Sequence, residues 1–76
     1  MSLKPQPAKK IIKVLSKLGF KIVRKQGSHV VLKHADGRLT VVQVHSGEEI
    51  GRGLLNKIIK DTGLPKEEFI KLLENQ

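Results

Sequence analysis

Residues 29–44 read HVVLKHADGRLTVVQV, two runs rich in β-branched residues on either side of Asp36-Gly37. An Asp-Gly pair between such runs is among the strongest short-range signals for a β-hairpin. A two-residue loop at Asp36-Gly37 places Ala35 opposite Arg38 and His29 opposite Val44. Strict alternation then assigns four apolar residues to the face that helices should cover: Val30, Leu32, Leu39 and Val41. The other face receives His29, Val31, Lys33, Thr40 and Val42. The predicted strands are His29 to His34 and about Arg38 to Val44.

One more strand and three helices flank this hairpin. Residues 20–25 interleave β-branched and cationic side chains and end at the turn-forming Gln26-Gly27-Ser28, which predicts an earlier strand. Between Pro7 and Gly19, apolar residues recur at spacings of three and four and predict an amphipathic helix: Ala8, Ile11, Ile12, Leu15 and Leu18. Residues 54–62 and 65–73 show the same spacing, and Gly63 is expected to end the first of these two helices as a left-handed cap. The sequence therefore predicts an α+β fold in the order α-β-β-β-α-α.

The sequence does not fix the residue at which the second helix begins. Ser46 and Glu49 have the spacing of a capping box, which would begin the helix early. Gly51 and Gly53 would weaken such a helix, because glycine is a poor helix former. The helical pattern becomes firm only at Leu54.

The chain has 76 residues, which fits one small domain. Residues 1–6 contain Pro5 and show no apolar period, so we expect a short flexible leader outside the fold. Residues 7–76 are expected to form the single domain.

Composition favours a polyanionic partner. The net charge of +8 points to nucleic acid, through release of counterions from the phosphate backbone. No segment approaches the roughly 18 apolar residues of a membrane-spanning helix, so no membrane role is expected. The absence of cysteine excludes disulfide scaffolds and thiolate metal sites and fits a cytoplasmic protein. Phe20 and Phe69 are the only aromatic residues, so the chain lacks a stacking platform for splayed bases.

Three histidines are the natural candidates for acid/base chemistry near neutral pH. In the predicted hairpin, His29 and His45 lie at one end of the sheet, whereas His34 lies beside the turn, about 16 Å away. A site in which all three bind one zinc ion is therefore not expected, and no metal or cofactor is predicted. A structural role is expected for His34.

His29 has the most suggestive neighbours. Gly27 allows close approach of a ligand to the backbone, and Ser28 adds a hydroxyl donor. Three cations are candidates for placing positive charge beside a scissile phosphate: Arg24, Lys25 and Lys33. His29 as a partly exposed strand residue without function, and His45 as a residue that only leads into the next helix, are the competing interpretations.

Several segments together resemble the HicA family of mRNA interferase toxins, also called YcfA-like. These segments are residues 24–29 (RKQGSH), Val44-His45, residues 53–63 (GLLNKIIKDTG) and Glu67-Glu68-Phe69. The resemblance covers nearly the whole chain from Pro7. Two departures are visible: Gln43 stands where the family often has proline before Val-His, and Gly53-Leu54-Leu55 stands where it often has Gly-Thr-Leu.

The resemblance implies a fold similar to double-stranded-RNA-binding domains (dsRBDs), with helices packed on one face of a three-stranded antiparallel sheet. It also implies a toxin of a type II toxin-antitoxin system that cleaves mRNA and is neutralised by a HicB antitoxin. The catalytic histidine of the Gly-Ser-His motif carries over to His29. We expect His29 to act as general acid or base without a metal ion, and His45 or Lys25 is the weaker candidate for the second group.

Two other functions remain open from the sequence. A +8 domain of dsRBD-like fold also suits a module that binds double-stranded RNA by shape without cleaving it. A degenerate toxin that retains only antitoxin binding is the third interpretation.

Overall fold

A computed structural model of the protein describes residues 3–75. Three helices form: α1 (Ala8–Lys17), α2 (Arg52–Thr62) and α3 (Lys66–Glu74). Five strands form: β1 (Gln6–Pro7), β2 (Phe20–Gln26), β3 (His29–His34), β4 (Leu39–Gln43) and β5 (Glu49–Ile50). Strands β2, β3 and β4 make a three-stranded antiparallel sheet with β3 at its centre. The predicted α+β class and dsRBD-like order α-β-β-β-α-α are confirmed, with the two-residue pair β1–β5 added.

The hairpin between β3 and β4 differs from the predicted one by a single residue. His34 pairs with Arg38, since the His34 amide donates to the Arg38 carbonyl at 2.8 Å. The loop therefore has three residues, 35–37, and Gly37 adopts a φ of +100°. Asp36 explains the longer loop: its carboxylate accepts from both the backbone amide and the Nε of Arg38. Three-residue hairpin loops with a left-handed third residue are a common alternative to the two-residue type.

This one-residue change exchanges the two faces of β4. His29 lies opposite Gln43 rather than Val44. Thr40 and Val42 are buried, with 1% and 0% of their surface exposed, whereas Leu39 is 50% exposed. The predicted inward placement of Leu39 and Val41 is therefore wrong, because a slip of one residue turns every side chain of a strand over. The inward placement of Val30 and Leu32 on β3 is correct.

The three helices cover the inward face of the sheet. Each contributes a stripe of buried side chains at helical spacing: Ile11, Val14 and Leu15; Leu55, Ile58 and Ile59; Phe69, Ile70 and Leu73. From the sheet, four buried residues join the same cluster: Phe20, Val30, Leu32 and Val42. No helix formed by residues 3–75 covers the opposite face of the sheet, which we call the outer face.

The segment before α1 takes part in the fold, in contrast to the predicted leader. Leu3 is only 7% exposed and belongs to the hydrophobic core. Gln6 pairs with Ile50, and Pro7 with Glu49, in the β1–β5 ladder. Residues 3–6 therefore pack on the domain because Leu3 buries apolar surface, while Met1 and Ser2 lie outside the described residues.

The β1–β5 ladder also decides where the second helix begins. Glu49 and Ile50 are extended, so the capping box from Ser46 to Glu49 does not form. Gly51 takes the N-cap position and α2 starts at Arg52. At the other end of α2, Gly63 has a φ of +75° and is the left-handed cap that the sequence predicts.

Candidate active site and nucleic-acid interface

His29 is the first residue of β3 and lies on the outer face. The preceding turn is closed by Gly27, whose φ of +59° is easily adopted only without a side chain. The Val44 amide donates to the Ser28 carbonyl at 2.7 Å, which ties this turn to the end of β4. Because the next residue, Val30, is buried, alternation directs His29 outward, where it is exposed.

Two glutamines flank His29 across the sheet. Gln26 lies opposite it on β2 and Gln43 lies opposite it on β4. The Gln43 Nε2 lies 3.1 Å from the His29 Nε2. This is hydrogen-bonding distance, and the Gln43 amide can donate to the ring when the His29 Nε2 carries no proton. Gln43 therefore orients the imidazole.

The three candidate cations are placed differently relative to His29. Arg24 lies opposite Val31, on the outer face, and its Nη2 donates to the Gln26 Oε1 at 3.1 Å. A shift of register between Ile22 and Arg24 produces this orientation, since Val23 is an extra residue in β2. Arg24 is thus the cation on the same face and at the same end of the sheet as His29.

Lys25 and Lys33 do not lie beside His29 as Arg24 does. Lys25 lies opposite Val30, whose side chain points inward, so Lys25 projects from the sheet edge toward the helical side. Lys33 is on the outer face but four residues farther along β3, about 13 Å away at the usual strand rise.

His45 lies two residues beyond the end of β4, at the same end of the sheet as His29. Its carbonyl accepts from the Glu48 amide at 3.1 Å, in a turn that contains Gly47. It lines a shallow depression with Gln43 and the two glutamates, Glu48 and Glu49. Because Gln43 also contacts the His29 ring, this depression adjoins the His29 site.

His34 lies at the opposite end of the sheet in a cluster that anchors the hairpin turn. Its ring packs edge-on against Phe20, with 5.3 Å between the ring centroids, and its Nδ1 lies 3.0 Å from the Asp36 Oδ1. Arg38 stacks on Phe20, pairs with Asp36 at 2.8 Å and donates to the Thr62 carbonyl. The hydrogen bonds from Arg38 hold the pKa of Asp36 below its ordinary value. This cluster was not predicted from the sequence. The sequence feature that could have indicated it is the pair of opposite charges, Asp36 and Arg38, on either side of Gly37.

Comparison with known families gives one match. The sequence model described as HicA toxin of bacterial toxin-antitoxin matches residues 8–64. The chain belongs to the HicA toxin family. The matched region of this HicA-family chain runs from α1 to the end of α2 and includes the Gly27-Ser28-His29 motif, Gln43 and His45. No curated protein matches the chain.

Family membership makes the chain a toxin of a toxin-antitoxin system, and it implies an antitoxin as partner. Among residues 3–75, no helix has the length and apolar character needed to cross a membrane. The same residues contain no group of three or more His, Asp or Glu side chains placed to hold a metal ion.

Proposed function

We propose that this HicA-family chain is an mRNA interferase, an endoribonuclease in which His29 acts as general acid or base. The observation that carries the proposal is the position of His29: it is exposed at the end of the central strand, on the sheet face that no helix covers. Its ring is held by Gln43, and Arg24 lies on the same face. An oriented imidazole beside a guanidinium is a suitable pair for chemistry on a phosphodiester.

The reaction that fits these groups is an internal transesterification. The ribose 2′-hydroxyl attacks the adjacent phosphorus and loses its proton to a general base, while the 5′-oxygen of the next nucleotide leaves and takes up a proton. The products are a 2′,3′-cyclic phosphate and a 5′-hydroxyl. Arg24 is suited to stabilise the charge that develops on the phosphate oxygens. The Gly27-Ser28 turn supplies a hydroxyl and close backbone access beside it.

A second protonation role requires a second group, and we assign it to His45. It lies at the same end of the sheet as His29, and its depression contains Gln43, which contacts His29. Lys25 is the weaker choice, since its side chain projects from the edge of the sheet toward the other face.

The test is cleavage of single-stranded RNA by the purified protein in EDTA. We expect a 2′,3′-cyclic phosphate product from the wild type, a loss of at least 100-fold in rate for His29→Ala, and a smaller loss for His45→Ala. Purifying all variants in the same way controls for contaminating nucleases, and circular dichroism checks that they are folded. Full activity of a folded His29→Ala variant would remove His29 from the catalytic role.

The alternative function is a non-catalytic module that binds double-stranded RNA, which the dsRBD-like arrangement and the +8 charge favour. Salt-sensitive binding of duplex RNA, with all RNA left intact by the wild type, would support it.

We further propose that the antitoxin is of the HicB type and covers the outer face. Val23 and Leu39 are 57% and 50% exposed, and an apolar surface of this kind suits a protein partner. An antitoxin seated there would block access to His29, in the cytoplasm where mRNA and toxin meet. Equimolar HicB should abolish RNA cleavage, and unchanged cleavage in a formed complex would contradict this placement.

A further inference from the structure

We propose that Lys21 and Lys33 form a binding subsite for an RNA backbone phosphate, separate from the His29 site. The proposal rests on the proposed function, because it takes the substrate to be a single RNA strand that passes His29. It assigns that strand a path along the outer face of the sheet.

The two lysines lie directly opposite each other in the β2–β3 ladder. Residues paired in this way have Cβ atoms about 5 Å apart and side chains on the same face. Two like charges in such a pair destabilise a sheet. Within residues 3–75 neither lysine forms an ion pair or donates a side-chain hydrogen bond, so nothing in the fold offsets their repulsion. An anion that binds both ammonium groups would offset it.

The surface around the pair is shaped and charged for an anion. Both lysines line a shallow depression together with Val23, His34 and Ala35. No carboxylate lines this depression. Asp36, the acidic residue next in sequence, is already engaged by Arg38 and His34.

Basic residues are concentrated in the first half of the chain, and acidic residues in the second half. The first 35 residues contain nine of the fifteen Lys and Arg residues and none of the seven Asp and Glu residues. These residues form α1, β2 and β3, which include the edge strand and the central strand of the sheet. Four of these nine cations lie on β2 and β3, the strands that carry His29 and the lysine pair, and neither strand contains an acidic residue, which favours a polyanion at this surface.

The distance between Lys33 and His29 determines how long an RNA strand must be to occupy both sites. Lys33 and His29 are four residues apart on the same face of β3, which is about 13 Å. Between them lies half-buried Val31, with Val41 beside it on β4 and Arg24 beside it on β2. An RNA strand whose scissile phosphate is at His29 would therefore reach the lysine pair with a phosphate a few nucleotides away. Very short RNAs would not reach it.

The experiment measures binding of a fluorescent single-stranded RNA oligonucleotide with 2′-O-methyl riboses, which lacks the 2′-hydroxyl nucleophile. Lys21→Ala/Lys33→Ala is compared with Lys66→Ala/Lys71→Ala, which removes the same charge from α3 on the helical side. For the first variant we expect about tenfold weaker binding at low salt, and a plot of log K against log salt that is shallower by about 0.7 for the lost phosphate contact. The α3 variant should keep nearly the wild-type slope.

Equal slopes for the two double variants would overturn the subsite. The subsite would also be overturned if poly-glutamate competed with the RNA probe as well as RNA does, and if Lys21→Ala/Lys33→Ala abolished this competition. That result would assign the lysine pair to an acidic protein segment instead. The outcome is independent of catalysis, because the probe cannot be cleaved: loss of binding in Lys21→Ala/Lys33→Ala establishes the subsite even if His29→Ala proves fully active.

A second measurement tests the length dependence. With cleavable RNA, Lys21→Ala/Lys33→Ala should raise the KM for a ten-nucleotide substrate and leave the cleavage of a dinucleotide unchanged. An equal effect on both substrates would place the lysines in the His29 site itself and contradict a separate subsite.

Discussion

At the scale of single residues, the orientation of His29 depends on Gln43. The side chain of a residue at the end of a strand, exposed on a face without helices, has little packing to hold it. The 3.1 Å hydrogen bond to the Gln43 amide is the side-chain hydrogen bond that His29 makes within residues 3–75. A residue without a side-chain donor at position 43 could not make it.

Gln43→Ala should therefore lower kcat for RNA cleavage about fivefold with little change in KM, the equivalent of one hydrogen bond worth about 1 kcal/mol. Gln26→Ala is the matched control, because Gln26 also lies opposite His29 but is hydrogen-bonded to Arg24 instead. Steady-state kinetics on one RNA substrate measures both. An unchanged kcat in Gln43→Ala would show that Gln43 does not position the ring, whereas a loss in Gln26→Ala would report on Arg24, which Gln26 contacts.

At the scale of elements, the three-residue loop decides which residues of β4 enter the core. The two-residue loop that the Asp36-Gly37 signal predicts would bury Leu39 and expose Val42. The observed loop buries Val42 and Thr40 instead, and the Thr40 hydroxyl donates to the Asp61 carboxylate of α2 at 2.9 Å. A polar residue is accommodated on the inward face because α2 supplies its partner.

The two registers predict opposite results for two alanine variants. With the observed register, Val42→Ala should lower the free energy of unfolding by about 2 kcal/mol because it leaves a cavity under the helices. Leu39→Ala should change it by less than about 0.5 kcal/mol, since the side chain is half exposed. Urea denaturation of the two variants compares them directly, and a larger loss for Leu39→Ala would support the two-residue loop.

At the scale of the whole molecule, the described part of the chain shares one hydrophobic cluster that includes the N-terminal segment. Leu3 lines a surface depression together with Ile70 and Leu73 of α3 and belongs to the same hydrophobic cluster. A 76-residue domain buries a limited apolar surface, so one additional buried leucine contributes a substantial part of its stability.

Leu3→Ser should lower the free energy of unfolding by about 2 kcal/mol, the value of one buried aliphatic side chain. Lys4→Ser, at the exposed neighbouring position, is the control and should have little effect. Thermal unfolding followed by circular dichroism measures both. If both variants unfold at the wild-type temperature, Leu3 is not held in the core in solution. That result would support the flexible leader that the sequence predicts.

The sequence by itself determined the three helices and the three strands of the main sheet, and it singled out His29 as the proposed central residue of the site. The spacing of apolar residues in α1, α2 and α3, the turns at Gly27 and Gly63, and the Gly27-Ser28-His29 motif are all local signals, because they depend on residues within a few positions of one another. Such signals were sufficient for the fold class and the order of these elements, and the proposal of His29 rests on them as well.

Only the tertiary structure decided the features that depend on contacts between distant segments. The loop length followed from the Asp36–Arg38 pair and its anchor on Phe20 and Thr62, and the place of Leu3 followed from the surfaces of α1 and α3. The pairing of Gln43 with His29, and of Lys21 with Lys33, followed from strand register. Register is a property of two strands together, and a shift of one residue changes every partner. The site that we propose around His29 therefore takes its central residue from a local sequence motif and its neighbours from strand pairing.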